Sequence, residues 1–179
     1  MKTVAFMLLA LVALGADPQF DKNGDLVRPK TYREWIFLSS GVGMNYGAGP
    51  LPFGNVFVEP SAYRKFVETG KWPDKSIFAL EIRQPATEGS INKGGQYQTG
   101  LLGLEIAVKD VARFADGWGY FGFNGGAATA KVFGAEAGCN ACHSKNAAVE
   151  HSFVQFYPTL LEIAIAKGTL NPSYKPAGK

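Results

Sequence analysis

The sequence has few cysteines, few charges and few long hydrophobic segments, and each shortage excludes a class of protein. The chain of 179 residues contains two cysteines, Cys139 and Cys142, so a scaffold stapled by several disulfides is excluded. Charged residues make up 18% of the chain and hydrophobic residues 46%, so wholesale disorder is not expected. The net charge is +3 with no run of basic residues, so a nucleic-acid partner is not indicated.

The N-terminal segment has the pattern of an export signal. Lys2 gives a positive start, and residues 4–14 form an apolar run that is too short for a comfortable transmembrane helix. Small residues at the end of this run predict cleavage before Ala16, so residues 1–15 are a signal peptide and 16–179 a single domain. We therefore expect an exported protein, most simply periplasmic, with no membrane span in the mature chain.

The middle of the chain is predicted to form a sheet, because apolar side chains alternate along several segments. Phe78, Leu80 and Ile82, for example, share one face of their strand. The predicted strands are residues 35–38, 56–58, 76–83, 101–109 and 117–123. Proline and glycine positions predict helices over residues 61–69 and 158–167, and alanine-rich residues 135–150 can form a third.

One motif, Cys139-Asn140-Ala141-Cys142-His143, has the c-type haem attachment pattern. Two thiols at this spacing on a helical turn can add to the two vinyl groups of one porphyrin, and His143 then offers a ring nitrogen to the iron. The other ring nitrogen usually donates to a backbone carbonyl. Three other interpretations of the motif are less favoured. A thioredoxin-like redox pair would need a βαβ unit, which the sequence does not predict, and a zinc site would need a second Cys or His pair. A disulfide between the two cysteines is possible but would not explain the adjacent histidine. We predict one covalent haem c with His143 as the axial iron ligand.

Two side chains outside the N-terminal segment could supply a second axial ligand, Met44 and His151. Methionine more often fills gaps in packing, and His151 is interpreted as a solvent-exposed residue at a helix boundary. An open or water-filled sixth position is therefore expected. Glu105 shares its strand face mainly with small residues, so its carboxylate could point at a flat cofactor; a solvent-facing glutamate is the commoner alternative.

The haem motif, taken with an ordered set of upstream segments, resembles the cytochrome P-460 and cytochrome c′-beta family. The matching segments are residues 32–35, 55–58, 69–74, 90–95, 103–105 and 153–158. The resemblance implies a mainly β (α+β) fold with an antiparallel sheet, a few helices and a C-terminal haem-binding helix. It also implies a homodimer and a five-coordinate haem c.

Two chemistries occur in that family. P-460 members oxidise hydroxylamine and join a strand lysine to the porphyrin, whereas c′-beta members lack this crosslink and bind nitric oxide or carbon monoxide in an apolar pocket. The resemblance aligns Leu80 with the crosslinking lysine and Glu105 with the distal carboxylate of the hydroxylamine-oxidising members. Phe78 and Leu80, together with Phe53 and Phe57 on the preceding strand, are expected to line an apolar distal pocket.

These observations predict a gas-binding haem protein that takes nitric oxide or another small nitrogen-oxide ligand and exchanges electrons with a redox partner protein. One alternative is an enzyme that oxidises hydroxylamine with Glu105 as proton acceptor. A second alternative is an electron-transfer cytochrome with Met44 as sixth ligand.

Overall fold

The computed structural model describes residues 17–44 and 51–175 of the chain. The predicted signal peptide, residues 1–15, lies outside the described residues. Within them the chain forms seven β-strands, three α-helices and three short 3₁₀ helices. No helix in these two ranges is long and apolar enough to cross a membrane.

A five-stranded antiparallel sheet is the centre of the fold. The strands are β1 Leu26–Val27, β2 Ile36–Val42, β3 Phe53–Val58, β4 Ile77–Ala86, β5 Tyr97–Lys109, β6 Trp118–Phe123 and β7 Thr129–Ala130. The helices are α1 Pro60–Thr69, α2 Cys139–Asn146 and α3 Pro158–Lys167. Strands β2 to β6 pair in chain order, with α1 inserted between β3 and β4, and β1 pairs with β7. This architecture confirms the predicted mainly β, α+β fold.

The β4–β5 hairpin is longer than the sequence pattern predicts. Alternating side chains mark residues 76–83 and 101–109, but the antiparallel ladder continues to the pair Ala86 and Tyr97. Backbone pairing does not require an apolar face, so the ladder runs on after alternation has stopped. Shifts of register around Arg83 mark a bulge where the hairpin leaves the core.

The predicted helix over residues 135–150 is wrong in its extent. Gly138 has a φ of +70°, which a residue without Cβ adopts at little cost, and it separates a 3₁₀ turn, Ala135–Ala137, from α2. The helix ends at Asn146, because Ala147 is extended with a ψ of 145°. The motif helix is therefore two turns long and is held mainly by its surroundings.

Side chains of the sheet alternate between two covered faces. The helix face packs against α1 and α3 around a core cluster that includes Val58, Phe66, Trp72, Phe78 and Leu160. The reverse face packs against β1 and β7 around a second cluster that includes Leu26, Ile77, Leu104, Ile106 and Phe121. Successive residues of one strand therefore serve different cores.

Glu81 lies on the reverse face of β4 and is 3% exposed. Its carboxylate accepts hydrogen bonds from the Tyr32 hydroxyl, Arg33 Nε and Arg83 Nε, each at 2.7 Å. Burial alone disfavours the ionised carboxylate, but the hydrogen bonds from Arg83, Tyr32 and Arg33 outweigh it and lower the pKa of Glu81 to about 2. This ionised network ties the turn before β2 to the centre of the sheet.

We expect Glu81→Gln to lower the free energy of unfolding at pH 7 by about 3 kcal/mol, the value that corresponds to this pKa difference. The folded-state pKa lies below the ordinary 4.5, so the ionised group stabilises the fold above pH 4.5. That contribution is lost as the pH falls towards 2, and the gap between the two proteins should close over this interval. Denaturant unfolding at a series of pH values measures it.

The matched control is Glu68→Gln, because Glu68 is an exposed carboxylate whose one ion pair among the described residues is with the exposed Lys65. Such a surface pair contributes at most about 1 kcal/mol, so this variant should unfold nearly like the unmutated protein. A stability gap for Glu81→Gln that stays constant down to pH 2 would contradict the assignment of the effect to the ionised carboxylate.

Candidate functional site

The haem motif occupies one face of α2. Cys139, Cys142 and His143 stand at positions i, i+3 and i+4, so their side chains project from the same side of the helix. All three are partly buried, and no disulfide joins the two cysteines within the described chain. The spacing of the motif therefore places two thiols and one imidazole on the same face of the helix.

The His143 imidazole is fixed in orientation and tautomer. Its Nδ1 lies 2.7 Å from the backbone oxygen of His151, and because a carbonyl can only accept, Nδ1 carries the proton. The ring is held between Tyr120 and Phe153, with centroid distances of 4.5 and 4.4 Å. Burial lowers the pKa of His143, which keeps the ring neutral and leaves the Nε2 lone pair available to a metal.

The surface beside α2 is the helix face of β4, β5 and β6. Leu80, Glu105 and Gly122 are direct cross-strand neighbours there, so their positions lie side by side on one face. A cavity of about 190 Å³ opens at this place, and its lining includes Gly103, Glu105, Gly122 and Phe133. The Phe133 ring lies over Gly122, where a Cβ would meet it at 2.5 Å. The Phe133 ring therefore fills the space over Gly122, and Gly103 is the position where the cavity wall carries no side chain.

Glu105 is directed into this cavity. Its side chain keeps access to solvent at the mouth, but it stands among apolar and small neighbours, and this burial raises the pKa of Glu105. It is also close to the motif, since the pKa of the Cys139 thiol is raised first by burial and then by the charge of Glu105. The structure thus brings Glu105, Leu80 and the haem motif to the same face of the sheet.

Three of the predicted pocket residues do not line the cavity: two lie on the reverse face of the sheet, and one is buried in the core. Phe53 and Phe57 were expected beside Leu80, but the register pairs them with Arg83 and Ala79, which puts them on the reverse face. That expectation is corrected: a strand exposes alternate side chains on opposite faces, and both phenylalanines have the wrong parity. Phe78 has the right parity, yet it is 6% exposed and packs in the core between Trp72 and Trp118.

The two candidate sixth ligands are not brought to His143 through their side chains. Met44 is 61% exposed and lies over Gly41 on β2, four strands from Tyr120 on β6. At about 4.8 Å per strand this separates Met44 from the His143 contact by about 19 Å. His151 is half-buried rather than fully exposed, its ring stacks on Trp118, and its carbonyl is the group that meets His143.

The structure adds three aromatic residues to the site that sequence reasoning missed. Tyr120 and Phe153 clamp the His143 ring, and Phe133 covers Gly122. In the sequence, Tyr120 is only one residue of a predicted strand, and Phe153 is only one residue of a segment that resembles the family. Neither pattern indicates a contact with His143. Nothing in the sequence marks Phe133, because it follows β7 in an irregular loop.

The residues present fit a covalently held haem. The donor set is two thiols and one neutral imidazole, and Gly103 adds no side chain to the wall of the adjoining cavity. The Tyr120 hydroxyl provides a second sign: it is buried next to the motif and has no hydrogen-bond partner among the described residues. A buried polar atom of this kind is rare unless a further group completes the site.

Two thiols and a fixed neutral imidazole beside a shallow pocket of a β-sheet domain are the arrangement expected of a haem-binding protein. The model of the cytochrome P460 family matches residues 29–154, which is more than half of the chain. The protein belongs to this family and is a haem-binding cytochrome. A comparison with curated proteins gave no match.

The Tyr120 hydroxyl provides a test of this fit. In a Cys139→Ala/Cys142→Ala variant purified without haem, adding Tyr120→Phe should raise the free energy of unfolding by about 1 kcal/mol, because a buried hydroxyl without a partner is removed. In the haem-loaded protein the same change should be neutral or destabilising. Tyr32→Phe is the control, since its hydroxyl binds Glu81 and its loss should destabilise both forms. Equal effects of Tyr120→Phe in the two forms would contradict the fit.

Proposed function

We propose that the protein is an exported mono-haem c-type cytochrome with a five-coordinate iron that binds a small diatomic or nitrogen-oxide ligand, nitric oxide first. The observation that carries this proposal is the separation of the candidate ligands. His143 is oriented for coordination, while Met44 follows the outer strand β2 and lies against Gly41, and His151 presents its carbonyl to His143. An electron carrier with Met44 as sixth ligand is therefore not favoured.

Each residue of the site has a distinct part in this proposal. Cys139 and Cys142 would hold the haem as thioethers, and Nε2 of His143 would be the axial ligand. Bound haem supplies an iron centre that takes neutral diatomic ligands and changes redox state. Leu80 and Gly122 give Glu105 apolar neighbours on this sheet face, so with Glu105 protonated the face favours a neutral ligand over an anion.

The absence of a lysine at Leu80 favours simple haem c over a crosslinked porphyrin. The neighbouring lysines are engaged or distant: Lys75 forms an ion pair with Asp110 at 2.5 Å, and Lys109 pairs with Glu150 at 2.7 Å. Lys71 and Lys93 are exposed in loops. In the part of the chain that the structure describes, no amine shares the cross-strand row of Leu80, Glu105 and Gly122.

Glu105 favours a second candidate function, the oxidation of hydroxylamine. A carboxylate with a raised pKa at the edge of the site is a stronger base than an ordinary one and can accept a proton from a bound N–H group. Such general-base assistance is typically worth about 10²–10⁴-fold in rate. Leu80 argues against this candidate, because the resemblance associates that activity with a lysine at this position.

The wider setting is part of the same proposal. The export signal in residues 1–15 supports a periplasmic location and one mature domain over 16–179. Exposed apolar side chains on β2 and β5, among them Phe37 and Leu102, support a homodimer. A redox partner protein would set the oxidation state of the iron.

Covalent attachment is tested by extraction. The haem should remain with the polypeptide in acid–acetone, because thioether bonds survive acid. Replacement of Cys139 or Cys142 by Ala should weaken retention, and replacement of both should release the haem into the extract. His143→Ala is the control, since it removes the proposed axial ligand but keeps both thioethers, so it should retain haem with an altered spectrum. Haem released from the unmutated, matured protein would overturn the attachment.

Ligand binding and Glu105 are tested together. The ferrous protein should show the spectrum of an ordinary five-coordinate haem c and bind nitric oxide readily. Binding should weaken as the pH rises through the elevated pKa of Glu105, because the ionised carboxylate draws water into the cavity. Glu105→Gln should remove this pH dependence, whereas the exposed control Glu88→Gln should leave it unchanged.

The same samples separate the two candidate functions. Slow or absent turnover of hydroxylamine is expected for the gas-binding protein. Rapid turnover with a red-shifted ferrous band, lowered by about 10²–10⁴-fold in Glu105→Gln, would instead establish the enzyme. A six-coordinate low-spin ferrous spectrum would contradict both functions and would favour an electron-transfer cytochrome with Met44 as sixth ligand.

A further inference from the structure

The carbonyl that holds His143 belongs to a tight turn after α2. Ser152 closes this turn, since both its backbone N–H and its hydroxyl donate to the Val149 oxygen at 2.9 Å. Glu150, inside the turn, has a φ of +50°, a left-handed conformation that is unfavourable for a residue with a Cβ. The turn therefore needs support from outside to keep the His151 carbonyl in place.

Asn171 supplies most of this support. Its Nδ2 donates to the backbone oxygens of Ala147 and Glu150 at 2.9 and 2.8 Å. Its Oδ1 accepts from the Glu150 N–H at 2.9 Å, and its own backbone N–H donates to the Ala148 oxygen at 2.7 Å. Asn171 thus makes four hydrogen bonds to the segment that joins α2 to the turn, and they reach Ala147, Ala148 and Glu150.

Lys109 and Trp72 hold the turn from the sheet side. Lys109 Nζ donates to Glu150 and to the Trp72 oxygen, both at 2.7 Å. The Trp72 indole N–H donates to the Ser152 hydroxyl at 2.6 Å within the core. The position of the His151 carbonyl is therefore determined jointly by β5, the buried core and the segment after α3.

Asn171 reaches the turn because α3 ends sharply. Gly168 adopts a φ of +66° as the helix cap and reverses the chain, and Thr169 N–H then bonds back to the Ala164 oxygen. Asn171 lies beyond residue 154, where the match to the family model ends. The support for the histidine thus comes from a part of the chain that the motif does not include.

We propose that Asn171 is a positioning residue for the axial histidine, acting through the turn of residues 147–152. By fixing the His151 carbonyl against Nδ1 of His143, it sets how strongly the imidazole donates to the iron, since such outer hydrogen bonds raise ligand basicity and fix ring orientation. This inference rests on the proposed function, in which His143 is the iron ligand.

The test compares iron–histidine bonding in the mature, haem-loaded protein and its Asn171→Ala variant. The iron–histidine stretching band of the ferrous protein, measured by resonance Raman spectroscopy, should move to lower frequency in the variant. The reduction potential should rise, because a less basic imidazole stabilises the oxidised iron less. Lys109→Met, which removes the hydrogen bonds of Lys109 to Glu150 and Trp72, should move the band in the same direction and keeps the test open if Asn171→Ala folds poorly. Only the band is compared in this variant, because loss of the Lys109 charge changes the reduction potential by itself.

Leu26→Ala is the matched control, because Leu26 is buried in the reverse-face core and does not contact the turn. It should lower stability without moving the band or the potential. An equal shift in Leu26→Ala, or an unmoved band in both Asn171→Ala and Lys109→Met, would overturn the positioning role. An iron–histidine band missing from the unmutated protein, or unaffected by loss of His143, would instead overturn the proposed function itself.

Discussion

The hydrogen bond from His143 Nδ1 to the His151 carbonyl is the interaction on which the rest of the site depends. It fixes the tautomer, and with it the nitrogen that can meet a metal. It also joins the short motif helix to the turn that follows, which compensates for a helix of two turns with little stability of its own. The rings of Tyr120 and Phe153 then hold the imidazole plane, so sheet and C-terminal segment both determine its direction.

The sequence predicted the sheet well, because alternation of side chains is a local pattern. Alternation along residues 76–83 and 101–109 placed Leu80 and Glu105 on defined faces, and the ladder joins them as neighbours. The cysteine spacing identified the motif without any knowledge of the fold. Proline and glycine located α1 and α3 correctly, since their effects on backbone conformation are intrinsic to the residue.

The errors came from pairings between distant parts of the chain. Phe53 and Phe57 were assigned to the wrong face, because a short aromatic run does not show which residue of the neighbouring strand it pairs with. The alanine-rich residues 135–150 lack a helix-breaking proline, so the stop at Ala147 could not be foreseen. No sequence pattern indicates the role of Asn171, because that role consists of four hydrogen bonds to a segment that is distant in sequence and comes close only in the folded chain.

Strand β4 assigns two unrelated tasks to adjacent residues. Leu80 lies on the helix face of the sheet, beside Glu105, while Glu81, one position along, anchors the ionised network on the other side. A replacement at Leu80 therefore changes the helix face without removing any hydrogen bond of the Glu81 network on the reverse face. Because alternate residues of β4 face different sides of the sheet, the helix face can be altered while the stabilising network on the reverse face is kept. Leu80 is therefore a position that protein engineers can vary without loss of this network.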